Sequence, residues 1–266
     1  MKFAFKTAVI AATFIAASSA NAQSWQFQSG SGGLTFSGDA LSALSASGSS
    51  IVTAGTVPTI PGLDISGAVN TAAYTKATGN VSLTFSDAVT NGDNLTSLQA
   101  ANSFVQIRRT TFNDDETTTT RSIFMANFDV NLSNSTISAD LYSRTNSGAL
   151  VSYGTRSIFA ADIPGVVGGT QGVIVPVFGP GGQVTGEASG GLAGSLRMNL
   201  GTADIILADL GLNTSATDPV AILVRTANWG TTQAAGTFAV PEPSTYAMFG
   251  VGLLAVGAAA RRRKAA

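Results

Sequence analysis

The sequence predicts an all-β body, an antiparallel β-sandwich or flattened barrel with one or two short helices. An N-terminal signal peptide and a single C-terminal transmembrane helix bracket it. Three observations carry this reading. Many short segments alternate apolar and polar residues with the period of two expected of half-buried strands. Clusters of Gly, Ser, Asn and Thr, the residues of turns, separate those segments. The two longest uncharged small-apolar runs lie at opposite ends and are flanked by basic residues, the pattern of segments that engage a membrane.

Residues 1–22 read as the signal peptide. Lys2 and Lys6 make a short basic region, residues 7–17 are small and apolar, and Ala20-Asn21-Ala22 is a small-x-small cleavage site. The apolar run of about eleven residues is too short to span a bilayer, which takes roughly twenty. Cleavage after Ala22 leaves Gln23 as the first mature residue.

The body, 23–239, opens in β. Trp25 to Phe27 and Leu34 to Phe36 read as two strands separated by a Ser/Gly turn. Ser37 is placed to N-cap a short helix over Ala40, Leu41, Ala43 and Leu44, with Asp39 near its positive end and Gly48 closing it. Pro58, Pro61 and Gly62 mark a loop. Val81, Leu83 and Phe85 share one face of a strand and Ser82, Thr84 and Ser86 the other. The strongest β signal is a long hairpin: Phe104 to Arg109 and Arg121 to Leu132 flank Asn113-Asp114-Asp115-Glu116 and four threonines. Period two puts Phe124, Ala126, Phe128, Val130 and Leu132 on a single face. Ser133-Asn134-Ser135 turns the chain into a strand over Ile137 to Tyr142. Arg121-Ser-Ile-Phe124 recurs as Arg156-Ser-Ile-Phe159.

Between Gly165 and Gly194 eleven of thirty residues are glycine, interrupted by Val173 to Phe178, where Pro176 demotes the run to an edge strand. No Gly-Lys-Ser/Thr follows, so these glycines read as loops and not as a phosphate cradle. Thr202 is placed to cap a helix through Ile205, Ile206 and Leu210, closed by Gly211. Val220 to Val224 reads as a buried strand, residues 230–236 as a tether, and Thr237 to Val240 as a last strand.

The tail has three parts in order: Val240-Pro241-Glu242-Pro243-Ser244, an uncharged helix over 245–260 with the step Gly252-Leu253, and Arg261-Arg262-Arg263-Lys264. As a helix the apolar run satisfies its own backbone inside lipid. Its fifteen residues from Tyr246 measure roughly 22 Å, short of the ~30 Å hydrocarbon core, so the span needs thinning or snorkelling arginines. The basic cluster stays in the cytoplasm, leaving everything before Pro241 outside. Pro241 and Pro243 fix an extended strip that a protease can grip. These three parts resemble a PEP-CTERM sorting signal. The resemblance implies an exported protein of a Gram-negative bacterium, carried out by Sec-type machinery, held transiently in the inner membrane, processed by an exosortase and delivered to the cell surface or matrix. It further implies association with biofilm and extracellular polysaccharide. A fainter likeness, in the helix over Asp39 to Leu44 and the strand over Thr136 to Asp140, is to all-β modules of other exported bacterial proteins, some of them haem-related. No haem is carried over, because the chain has no histidine.

Composition narrows the chemistry. The chain has no cysteine and no histidine, which removes thiolate nucleophiles, Ser-His-Asp triads and the usual transition-metal ligand sets. No cofactor and no metal are expected, and the body is expected to be non-catalytic. Eight basic against fourteen acidic side chains in residues 23–240 make it mildly acidic, which disfavours nucleic acid. Two alternatives keep specific residues: a carbohydrate-binding module stacking sugars on Trp25 and Trp229, and a calcium- or carboxylate-dependent enzyme using Asp114, Asp115 and Glu116.

Overall fold

Two antiparallel sheets face each other in the computed structural model, which describes residues 25–52, 72–162, 172–180, 184–192 and 194–240. The first sheet is built from β1 (Gln26–Thr35), β3 (Ala72–Thr75), β4 (Asn80–Phe85), β10 (Val175–Phe178), β11 (Val184–Gly190) and β13 (Thr231–Ala239). Its spatial order is β10-β11-β13-β1-β4-β3. The second sheet comprises β2 (Ser49–Val52), β6 (Asn94–Phe112), β7 (Thr118–Asn131), β8 (Thr136–Thr145), β9 (Val151–Ala161) and β12 (Leu196–Met198). It runs β12-β9-β8-β7-β6-β2, and β5 (Asp87–Asn91) pairs with β6 beside it. Val81, Phe85, Ala188 and Phe238 from the first sheet join Leu98, Val105, Met125, Phe128, Val130 and Ile137 from the second in one buried core. This is the antiparallel, β-dominated body that the alternation predicts. The loop expected at Pro58, Pro61 and Gly62 lies outside the described residues.

Among the described residues, three short helices close one end. Helix α1 (Gly38–Ala46) begins as expected: Ser37 Oγ accepts the N–H of Ala40 at 3.2 Å, Asp39 sits in the first turn, and Gly48 turns the chain at φ +64°. In α2 (Leu200–Asp209) the cap is Asn199, not Thr202. Asn199 Oδ1 accepts from Gly201 and Thr202, while the Thr202 hydroxyl donates to the Ser157 carbonyl at 2.6 Å and ties the helix to β9. Asparagine and threonine both cap helices, and the choice fell to the residue that follows the end of β12. Helix α3 (Pro219–Thr226) replaces the strand expected over Val220 to Val224. A five-residue apolar run does not distinguish strand from helix by period. The deciding signal precedes it: Asp218 Oδ1 accepts from Val220 and Ala221, both at 3.0 Å, and Pro219 occupies the first turn, where its missing N–H costs nothing.

The first sheet also corrects the sequence reading in two places. Residues 26–35 form one continuous strand in place of two, because β4 and β13 hydrogen-bond along both of its edges. The tether expected over 230–236 is most of β13, paired on one side with β11 and on the other with β1. Gly and Ala are poor strand formers in isolation, and two flanking partners override that preference. Pro176 does sit on an edge strand.

The long hairpin of β6 and β7 keeps its place but not its single apolar face. Both strands carry a bulge, between Ala100 and Phe104 and between Ala126 and Asp129, with Asn102 at φ +60° and Asn127 at φ +54°. An extra residue swaps which face each later side chain takes. Phe128, Val130 and Leu132 therefore join Ile123 and Met125 in the main core, whereas Phe124 and Ala126 point outward and pack with Phe104 in a second cluster against Tyr142 and Leu150. The repeat Arg-Ser-Ile-Phe is split the same way: Ile123 and Ile158 share the main core, but Phe124 lies outside it and Phe159 inside.

Candidate functional site

Of the sorting residues only Val240 is described; it leaves β13 with its N–H directed to the Val184 carbonyl at 3.4 Å. Pro241, Glu242, Pro243, Ser244, the apolar helix over 245–260 and Arg261 to Lys264 lie outside the described residues, as do Ala20, Ala22 and Gln23. Among the described residues no helix is long and apolar enough to cross a membrane. The exit point is nevertheless well defined, because Gln26 pairs directly with Ala239. Cross-strand partners have Cα atoms about 5 Å apart. The chain thus enters the described body at Trp25 and leaves it at Val240 at one corner.

The acidic hairpin tip is a tight turn. The Glu116 N–H donates to Asn113, the Asn113 N–H to Thr117, and Glu116 takes φ +64°. Asp115 Oδ1 accepts from the Thr117 hydroxyl at 2.6 Å and its N–H at 3.1 Å, and these bonds hold its carboxyl below the ordinary aspartate value. Among the described residues no three acidic side chains converge on a point.

Both tryptophans plug the core and offer no face to a sugar. Trp25 and Trp229 are 6% and 3% exposed. The Trp25 indole donates to Asp93 at 2.8 Å, and that of Trp229 donates to the Val224 carbonyl at 3.1 Å. Of the described glycines of the 165–194 stretch, Gly186 and Gly191 serve close packing, and Gly172 and Gly194 take positive φ. At Gly186, a Cβ would lie 2.4 Å from Ile174 and 2.7 Å from the Trp25 ring. Between the sheets an apolar cavity of about 90 Å³ is lined by Leu98, Val105, Met125 and Phe128 on one side and by Ala188 and Ala234 on the other. With so few polar partners it would stay dry.

One polar feature has no counterpart in the sequence reading beyond the pair Arg108-Arg109. Arg108 pairs with Ser122 across β6 and β7, and Ser122 with Arg144 across β7 and β8, so the three side chains form a row on the outward face. Arg109 and Arg121, on the next rung, point to the other face. There Arg109 donates to the Leu210 and Gly211 carbonyls at 2.9 and 3.2 Å, at the negative end of α2. Arg144 lies over the Phe124 ring, 5.6 Å from its centroid. Its Nε is buried without a hydrogen-bond partner. Ser122 Oγ accepts from Gln106 Nε2 at 2.9 Å. Arg108 and Arg144 are far apart along the chain and come to share one rung only through strand register.

A chain of hydrogen bonds crosses four strands below that row. Asn127 Oδ1 accepts from the Asn102 N–H and its Nδ2 donates to Asp140 Oδ2, both at 3.0 Å. The Thr155 hydroxyl donates to Asp140 Oδ1 at 2.6 Å. The bulges are thereby locked to one another.

Comparison with known proteins identifies the tail. Residues 239–264 match the family model of the PEP-CTERM protein-sorting motif. That motif implies export, sorting at a membrane and an exosortase as the processing partner. No curated protein matches the chain. Among solved structures, the C-terminal domain of HtaA from Corynebacterium glutamicum aligns with 81% of this chain and 99% of that domain, at 11% identity and a TM-score of 0.41.

Proposed function

We propose that this chain is a component of the cell surface or extracellular matrix, associated with biofilm and extracellular polysaccharide, with a non-catalytic β-rich body displayed by exosortase sorting. The match of residues 239–264 to the sorting motif carries the reading. Physical chemistry gives each part of that stretch a separate task. The apolar segment holds the chain in the inner membrane, Arg261, Arg262, Arg263 and Lys264 stop its translocation, and the Pro-Glu-Pro strip presents an extended backbone with one carboxylate to the protease.

The fold supports such a role by where it releases the chain. Because Gln26 lies beside Ala239, the cleaved N-terminus and the sorting segment face the membrane together. Strand β1 runs away from that corner, and its nine steps of ~3.3 Å reach about 30 Å before α1 begins. The three helices and the arginine row lie toward this far end, since α1 packs on β2 and β2 pairs with Arg108 and Arg109.

The test separates retention from recognition. Glu242→Ala combined with Pro243→Ala should leave the protein inserted but uncut, accumulating in the inner membrane at its larger mass. Removing the basic cluster should instead weaken retention. Release of the double variant to the surface or medium as efficiently as wild type would overturn the proposal.

A further inference from the structure

We propose that Arg108, Ser122 and Arg144 form an oxyanion site on the outward face of the second sheet, and that its ligand is the carboxylate of an acidic sugar in a polysaccharide. The polymer rests on the extracellular setting proposed above; the anion site rests on the geometry alone.

The first argument is charge placement. Adjacent strands lie ~4.8 Å apart, so the Cα atoms of Arg108 and Arg144 are about 10 Å apart with Ser122 midway, and two guanidinium groups can close on one ligand above it. Like charges on one rung repel unless an anion lies between them. Their side chains have no anionic partner among the described residues, whereas Arg197 and Arg225 are paired with Asp162 and Asp204. Asp140, on the same face, already accepts from Asn127 and Thr155.

The second argument is unsatisfied donors. The Arg144 Nε–H is buried and unbonded, a state that costs free energy unless something accepts from it. Gln106 occupies a lone pair of Ser122 Oγ and leaves the hydroxyl proton to be donated. Two planar guanidinium forks flanking a hydroxyl suit a carboxylate, which each fork can hold by paired N–H bonds. On the neighbouring rung Tyr142 lies opposite Phe124, half-buried and packed against the Phe104, Phe124 and Ala126 cluster beside the site.

The experiment measures binding of the full chain, in detergent, to polygalacturonate, with dextran as the neutral control. Wild type should bind polygalacturonate and not dextran, and added salt should weaken the binding. Arg108→Gln with Arg144→Gln should weaken it at least tenfold with an unchanged circular-dichroism spectrum, while Arg197→Gln, which removes a charge elsewhere, should bind as wild type does. Equal binding by the double variant or equal binding of dextran would each overturn the assignment. The double variant should still be sorted normally, so failure of this site and failure of the sorting reading are read separately.

Discussion

Tyr153 shows how one side chain fastens a helix to the sheet. Its hydroxyl donates to Asp209 Oδ2 at 2.5 Å, joining β9 to the last turn of α2. Burial, and then the bond to Asp209, hold the phenol above its ordinary value. The neutral phenol is therefore the form that the fold favours. Its contribution is complete below the ordinary tyrosine value near 10 and is lost as pH rises through the higher folded value. Tyr153→Phe should lower stability by about 1–2 kcal/mol at neutral pH, measured by denaturant melts, because it leaves a carboxylate without its donor. The difference from wild type should shrink at strongly alkaline pH. A difference that grew there would contradict the assignment.

At the scale of elements, the bulged hairpin decides which aromatic rings enter the core. Asn127 holds a left-handed backbone and two cross-strand hydrogen bonds at once. Asn127→Ala should cost about 2 kcal/mol, since alanine disfavours that backbone and removes both bonds, whereas Asn127→Gly should cost about half as much because glycine tolerates it. Thermal or urea melts of the two variants test the order; a less stable glycine variant would contradict it. The same bulges explain what was legible in the sequence. Local signals survived: the Ser37 cap, the alternation of Val81 to Phe85, the edge position of Pro176 and the turn at Asn113 to Glu116. Period two failed across Phe124 to Leu132 because one inserted residue resets it, and no local residue type announces a bulge at an asparagine. Val220 to Val224, expected as a strand, is a helix because the Asp218-Pro219 cap, a local signal present in the sequence, outweighs a five-residue apolar run that has no decisive period. The arginine row was illegible for a different reason. Arg108, Ser122 and Arg144 become neighbours only through the register of three strands, which depends on long-range packing.

For the whole molecule, a tail that matches the sorting motif follows a body whose first and last described strands pair side by side. Gln26, near the start of the described body, pairs with Ala239, where the residues matching the sorting motif begin, so the chain enters and leaves the first sheet side by side. The body requires no disulfide, since the chain has no cysteine, and relies on the shared core of its two sheets and three helices. Its far end presents the helices and the arginine row to the surroundings. The most direct test is the intact mass of the protein recovered from the cell surface or medium of the producing organism. The account predicts a chain that begins at Gln23 and has lost the apolar segment and Arg261 to Lys264; a recovered chain that still carries residues 1–22, or the complete tail to Ala266, would contradict it.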